Sequence, residues 1–326
     1  MKKLIPFLLL LSLLLTACAE AEPIERSLFA MDTYMTVRIW GDEADADEIC
    51  ALILALDSAL DADDADSELG RLNESGALIV SERTAELLSL SIQYSLQTGG
   101  TFDPTVRPYI CAWQAAVDTP PSHQHLASLR SLVGTEHISL DGRAVSLSTG
   151  TALDLGGIAK GYTAQSCMEA LSARGVTCAM LSLGGNVQTL GSKPDGSQWA
   201  VGIADPENPQ EALAVVRFDG SMALVTSGDY QRCYELGGVK YHHILDPKTG
   251  CPVDHSLSSV TILAQNGSMA DAFSTALFVM GLDDAVEFWR TRDDFEAVFV
   301  LQDGSVLATQ GAAPLLTDCD FEVIDR

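Results

Sequence analysis

"DLGGIAKGYTAQ", residues 154–165, is the stretch on which the reading of this chain turns. Two adjacent glycines, a lysine six places after an aspartate, and then Gly161 lead into a helical pattern. A P-loop requires Gly-Lys followed by Ser or Thr, whereas Lys160 is followed by Gly161 and Tyr162. The dinucleotide pattern G-x-G-x-x-G is absent too. The stretch therefore starts a helix with glycines and a lysine, yet matches neither common phosphate-binding turn. Taken alone, Lys160 reads as a solvated helix residue.

The ends and the composition bound the answer. "MKKLIPFLLLLSLLLTACAE" opens with Lys2 and Lys3, runs apolar from Leu4 to Leu15, and closes on small residues before Cys18. These are the three regions of a signal peptide, and the apolar core is shorter than the ~20 residues that span a bilayer. "LTAC" (Leu15, Thr16, Ala17, Cys18) resembles a bacterial lipobox. Residues 1–17 are thus expected to be a lipoprotein signal peptide and 18–27 a tether lipidated at Cys18; an ordinary signal peptide is the plainer alternative. The expected product is exported and anchored by lipid to the bacterial cell membrane, with its domain over 28–326. Nineteen Lys and Arg against 45 Asp and Glu give a formal charge of −26. Such a field repels nucleic acid and anionic lipid, and a polyanionic ligand needs a metal or backbone dipoles to bind. Of eight cysteines, the seven other than Cys18 form no C-x-x-C pair and no zinc spacing. Buried free thiols are expected, with one or two disulfides as the alternative.

Working along the chain, "MDTYMTVRIW" alternates as a half-buried strand. Ile49, Leu52, Ile53, Leu56 and Leu60 recur at helical spacing within 43–60. "DADDADSELGRLN" lacks the central glycine and distal glutamate of an EF-hand and reads as a solvated acidic turn. A helix is predicted over 82–97, capped by Ser81 and stopped by Gly99-Gly100. "TGGTFDPTVRPYICAW" is too rich in Gly and Pro for a regular element, and 118–125 reads as a loop carrying His123 and His125. After the helix that closes near Arg174-Gly175, "VTCAMLSLGGNVQTLG" reads as strand, glycine turn, strand. Helices over 268–281 and 283–292 and the hairpin "AVFVLQDGSVLAT" complete the chain. Strands and helices mix without βαβ alternation. The expected fold is α+β, with largely antiparallel sheets and packed helices in one globular unit; a two-lobed solute-binding architecture is disfavoured.

Two stretches carry candidate chemistry. In "SMADAFSTALFVMG", Asp271 and Thr275 stand at i and i+4 with Ser274 at i+3, so their oxygens share a face while Phe273, Leu277 and Met280 lie on another. A carboxylate beside two hydroxyls suits Mg2+, although helix capping and back-bonding explain the same residues. In "VKYHHILDPKTGCPV", a rigid Asp246-Pro247 turn holds a strand presenting His243 and Leu245, and His243 is a candidate proton acceptor near neutral pH. Adjacent histidines are as often structural.

Met31-Asp32-Thr33, "GGTFDPTV", "DLGGIAKGY", "SLGGN", "TSGDY", "HHILDPKTG" and "ADAFSTAL" occur in that order. Together they resemble the ApbE-type FAD:protein FMN transferases, from about Met31 to about Met280. The resemblance implies that FAD contacts Met31, the Thr101-Phe102-Asp103 turn, Asp154, Lys160 and Leu245. It implies Mg2+ held by the backbone carbonyl of Gly157 and the side chains of Asp271 and Thr275, with Ser274 close by. The implied reaction moves FMN from FAD to a threonine hydroxyl of an acceptor protein and releases AMP. His243 is then the candidate base and Asp246 a weaker one. Family acceptors include subunits of Na+-translocating NADH:quinone reductases (Nqr), Rnf-type complexes and exported FMN-binding-domain proteins. One departure stands out: where the family has an aromatic or amide residue contacting the flavin nucleotide, spacing places Asp63. Two other readings use the same residues, an FAD pyrophosphatase giving FMN and AMP and a flavin-binding lipoprotein without turnover.

Overall fold

The computed structural model describes residues 22–230 and 233–326. The expected signal peptide and Cys18 lie outside them. The first strand, Ile24–Ala30 (β1), pairs antiparallel with Thr33–Ile39 (β2), residue for residue from Ile24–Ile39 to Ala30–Thr33. The expected tether is thus shorter than 18–27, because Ile24 and Leu28 pack against the core and draw the backbone into the sheet. Helix α1 (Glu43–Leu60) starts at a capping box in which Asp42 and Asp45 bond each other's backbone N–H. Its apolar stripe buries Ile49, Ile53, Leu56 and Leu60 as the spacing predicts.

Three helices depart from the sequence reading. Ser67 accepts from the Gly70 N–H and starts α2 (Glu68–Ser75), so the acidic stretch is a turn only up to residue 66. Strand β3 (Ala77–Ile79) and α3 (Glu82–Gln97), capped by Ser81 as expected, come next. Helix α4 (Arg107–Gln114) forms within the Gly- and Pro-rich stretch because Pro108 sits in the first turn, where an N–H has no intrahelical partner to lose. Ser122 caps α5 (His123–Leu129), which takes both histidines of the expected loop. The chain continues through β4 (Ile138–Asp141), β5 (Ala144–Leu147), α6 (Ala159–Ala173), β6 (Ala179–Leu183) and β7 (Asn186–Leu190). Then come β8 (Trp199–Ala204), β9 (Ala212–Phe218), β10 (Ala223–Gly228), β11 (Cys233–Leu236), β12 (Val239–His242) and β13 (Leu257–Ala264). Helices α7 (Gly267–Met280) and α8 (Leu282–Arg290) precede β14 (Phe295–Leu301), β15 (Val306–Thr309), β16 (Leu316–Thr317) and β17 (Glu322–Ile324).

A nine-stranded sheet in the order β1-β2-β6-β7-β10-β13-β14-β15-β17 organises the molecule, and only β15–β17 pair in parallel. On one face, α1 and α6 bury Ile49, Ile53, Cys167 and Leu171 against Val37, Ile39 and Leu181. Alongside, α7 buries Phe273 and Leu277 against Val260, Ile262 and Phe299. The other face is covered by β16-β9-β8, whose Trp199, Val216 and Phe218 meet Leu224, Leu263 and Val298. β13, sandwiched between these layers, is buried at every position. The expected α+β architecture with largely antiparallel sheets is the one observed. The seven described cysteines are all free. Cys167 and Cys178 are buried, and burial pushes their thiols up to about 12 and about 11, so neither is a thiolate at neutral pH.

Helices α6 and α7 touch through glycine. A Cβ on Gly161 would lie 2.2 Å from the Gly267 carbonyl oxygen and 2.5 Å from the Asp271 Cβ. Only a residue without a side chain lets the two backbones approach so closely. Gly161→Ala is therefore predicted to destabilise the fold by about 3 kcal/mol, the upper end for overpacking. Urea unfolding measures this; an unchanged midpoint would contradict the crossing.

Candidate functional site

The α6–α7 crossing brings the opening motif onto the aspartate-bearing helix. The Gly161 N–H donates to Asp271 Oδ2 at 2.7 Å. Asp271 is buried, and its Oδ1 takes no hydrogen bond among the described residues. One turn further, a Cβ on Gly157 would meet Thr275 Oγ1 at 3.4 Å and the Phe102 ring at 3.3 Å. Thr275 Oγ1 and Ser227 Oγ, from the "TSGDY" stretch, are 3.3 Å apart. Gly157, Asp271 and Thr275 all line one cavity of about 890 Å3, near the top of the ~300–1,000 Å3 range of small-molecule sites. Ser274 does not line it. It is fully buried, donates to the Asp271 carbonyl at 2.9 Å, and shares a 2.8 Å bond with Ser227, so it braces the helix from behind.

No group of three or more His, Cys, Asp or Glu suited to a metal exists among the described residues. What stands here is a sparse oxygen set: one carboxylate, one hydroxyl and a glycine backbone. That set fits a hard cation which takes most of its ligands from water and phosphate, as Mg2+ does. The free Asp271 Oδ1 is the observation that supports this fit.

Every expected flavin-contacting residue lines the same cavity: Met31, Thr101, Phe102, Asp103, Asp154, Lys160 and Leu245. Short polar links hold them in place. Asn73 exchanges two hydrogen bonds with the Leu153 backbone, at 2.9 and 2.7 Å, and the Asp154 N–H donates to the Pro104 carbonyl at 2.8 Å. The Met31 N–H donates to Asp57 Oδ1 at 2.7 Å, at a hairpin tip where Met31 and Asp32 both have positive φ, 48° and 57°. Such a conformation is uncommon outside glycine and persists only where the surroundings hold it. Lys160 Nζ lies 3.3 Å from the Gly156 carbonyl.

The adjacent histidines separate. His242 Nε2 bonds the Val253 carbonyl at 2.8 Å and its ring packs edge-on to Phe278, whereas His243 lines the cavity. β12 ends at His242, so His243 stands in a bend past the strand expected to present it, and Leu245 forms only an isolated bridge with Pro252. Asp246 does not line the cavity. Its carboxylate accepts from the Lys248 N–H and the Thr249 hydroxyl, which holds the turn and leaves it unsuited as a base. Helix α4 secures that turn: Trp113 Nε1 donates to the Gly250 carbonyl at 2.8 Å, and Gly250, at φ 72°, lies against Tyr109.

Arg107 escaped the sequence reading. It is buried, lines the cavity, bonds Asp63 and the Ala62 carbonyl, and faces Asp154 Oδ2 at 3.5 Å. Asp63 also lines the cavity, and the Arg107 hydrogen bond holds its carboxyl below the usual range. Among the described residues, seven aspartates (Asp32, Asp57, Asp61, Asp63, Asp103, Asp154, Asp271) line the cavity against two basic side chains, Arg107 and Lys160. A cation in such a cavity would favour an anionic ligand.

A mixed, largely antiparallel sheet and a helix crossing that lines a large acidic cavity with a sparse oxygen site define an α+β protein with a polar small-molecule site. Residues 31–299 match the ApbE family, and the chain belongs to it. It is 32% identical over 284 residues to a FAD:protein FMN transferase of Vibrio cholerae, covering 82% of this chain and 85% of that one. It is 30% identical over 320 residues to one of Treponema pallidum, covering 90% and 88%. Among solved structures, the ApbE protein of Thermotoga maritima superposes with a TM-score of 0.83 at 28% identity, covering 91% of this chain and all of that one. The flavin transferase ApbE of Vibrio cholerae gives 0.78 at 27%, covering 90% and 99%.

Asp103 offers a test of the cavity's electrostatics. Burial raises its carboxyl above the ordinary value, against the opposing bonds from the Thr105 N–H and hydroxyl at 2.8 and 2.5 Å. A raised folded value means that ionised Asp103 costs stability at neutral pH, and the cost fades as pH falls through the folded value toward the unfolded ~3.9. Asp103→Asn, which can accept the same bonds, is predicted to melt higher than wild type at pH 8, with the gap closing by about pH 4. Melting curves across that range check it; a gap that widens on acidification would contradict the burial.

Proposed function

We propose that this protein is a Mg2+-dependent FAD:protein FMN transferase, carrying FMN from FAD to a threonine hydroxyl of an acceptor protein and releasing AMP. One observation carries the proposal: Asp271, Thr275 and Gly157 line the same cavity as His243 and the expected flavin contacts, with Gly157 close to Thr275 Oγ1. Gly157, Asp271 and Thr275 would hold the ion. When bound, Mg2+ offsets charge on the phosphoryl oxygens and on the departing AMP.

The chain's own groups do the rest. Asp154, Lys160, Met31 and Leu245 orient the dinucleotide so that its FMN-side phosphorus faces the acceptor. As the threonine oxygen forms its bond to that phosphorus, its proton passes to a ring nitrogen of His243, and the bond from phosphorus to the AMP oxygen breaks. Phe102 and Leu245, both buried, help keep water from that phosphorus. The acceptor is an exported protein with an FMN-binding domain, of the Nqr, Rnf or soluble kind, and the enzyme reaches it from a lipid anchor on Cys18. No described helix is long and apolar enough to cross a membrane.

Incubating the mature protein with FAD, Mg2+ and an FMN-binding-domain acceptor tests the proposal through in-gel flavin fluorescence of the acceptor. Labelled acceptor supports transfer; free FMN and AMP alone would show a pyrophosphatase, and unchanged FAD a carrier. Asp271→Asn preserves an acceptor for the Gly161 N–H but removes the charge, and it is predicted to cut turnover at least ~100-fold without lowering the melting temperature. Full activity with unaltered Mg2+ dependence would remove Asp271 from the site. His243→Ala is predicted to slow transfer ~10²–10⁴-fold with FAD affinity little changed; an unchanged rate would remove it as the base.

A further inference from the structure

Arg107 has no part in the chemistry above, yet it is a buried cation in the cavity wall, with a side chain only 10% exposed. A guanidinium can act on a ligand through its in-plane N–H edge or through its flat face. Here both terminal nitrogens face carboxylates. Nη2 donates to Asp63 Oδ1 and, at 3.0 Å, to the Ala62 carbonyl, while Nη1 faces Asp154 Oδ2 at 3.5 Å. Burial disfavours the charge, but Asp63 and Asp154 outweigh it and hold the guanidinium protonated. A phosphate approaching either terminal nitrogen would meet a carboxylate.

We infer that Arg107 is a ring-binding residue: braced by Asp63 and Asp154, it presents the flat face of its guanidinium to a planar heterocycle of the bound ligand. The inference rests on the flavin-transferase reading and adds to it the part of the dinucleotide that this residue recognises. A locked plane loses little freedom when a ring settles on it, and a cation over a π face gains more once water is excluded. Plane, rather than charge alone, is what the wall supplies, so lysine does not replace arginine.

Equilibrium titrations of wild type, Arg107→Lys, Arg107→Ala and Asp63→Asn with FAD, riboflavin and AMP test this, with melting temperatures measured alongside. Lys and Ala are both expected to weaken FAD about tenfold. A parallel loss for riboflavin identifies the flavin as the stacked ring, and a parallel loss for AMP identifies adenine. Asp63→Asn alters a largely exposed carboxylate and leaves the guanidinium present but loosely held; it is expected to weaken FAD about threefold. This variant stands even where changes at Arg107 unfold the protein. Tighter FAD binding by Asp63→Asn would mean that the freed guanidinium grips phosphate, and would overturn the stack. Wild-type affinity in Arg107→Lys would also overturn it, as would a loss confined to FAD with riboflavin and AMP unaffected. Failure of wild type to bind FAD at all would instead overturn the reading beneath the inference, and the inference with it.

Discussion

Two helices meeting at bare backbone hold this site together. Gly161 lets α6 approach α7 until its N–H reaches Asp271 Oδ2 at 2.7 Å. That bond engages one carboxylate oxygen of a residue that lines the cavity. It also sets Gly157, one turn earlier, against Thr275. Gly157, Asp271 and Thr275, from segments more than a hundred residues apart in sequence, therefore line one cavity because of one glycine contact. A side chain at Gly161 would push the helices apart and disperse the donors even if each residue survived.

Electrostatics completes the picture. A cavity lined by seven aspartates in a chain of charge −26 is a poor place for a diphosphate. Its two basic side chains are already engaged, Lys160 at the Gly156 carbonyl and Arg107 among Asp63, Ala62 and Asp154. A divalent cation resolves the conflict, because it reverses the local field while asking for few protein ligands.

Much of this was legible in the sequence, and the misses have physical causes. The shared face of Asp271 and Thr275 follows from helical spacing alone, as do the stripe of α1 and the Ser81 cap. The proposed role of Gly157 does not, because a carbonyl donor would leave no trace in residue type; only the resemblance drew attention to it. Helix α2 was hidden by the acidic run before Ser67, whose capping bond decides where the turn ends. Pro108 concealed α4, and with it Arg107, since proline argues against a helix everywhere except in the first turn. The histidine pair was undecidable until Val253 claimed His242 and left His243 to the cavity. Ser274 illustrates the converse: helical spacing aligned it with its neighbours, but Ser227 and the Asp271 carbonyl took its hydroxyl.

Anomalous diffraction from crystals grown with FAD and Mn2+ examines the central claim most directly. The account predicts one strong peak about 2.2 Å from Asp271 Oδ1, Thr275 Oγ1 and the Gly157 carbonyl oxygen, with oxygens of the dinucleotide's diphosphate completing its coordination. A peak at another cluster of aspartates, or a diphosphate bound away from the α6–α7 crossing, would contradict it.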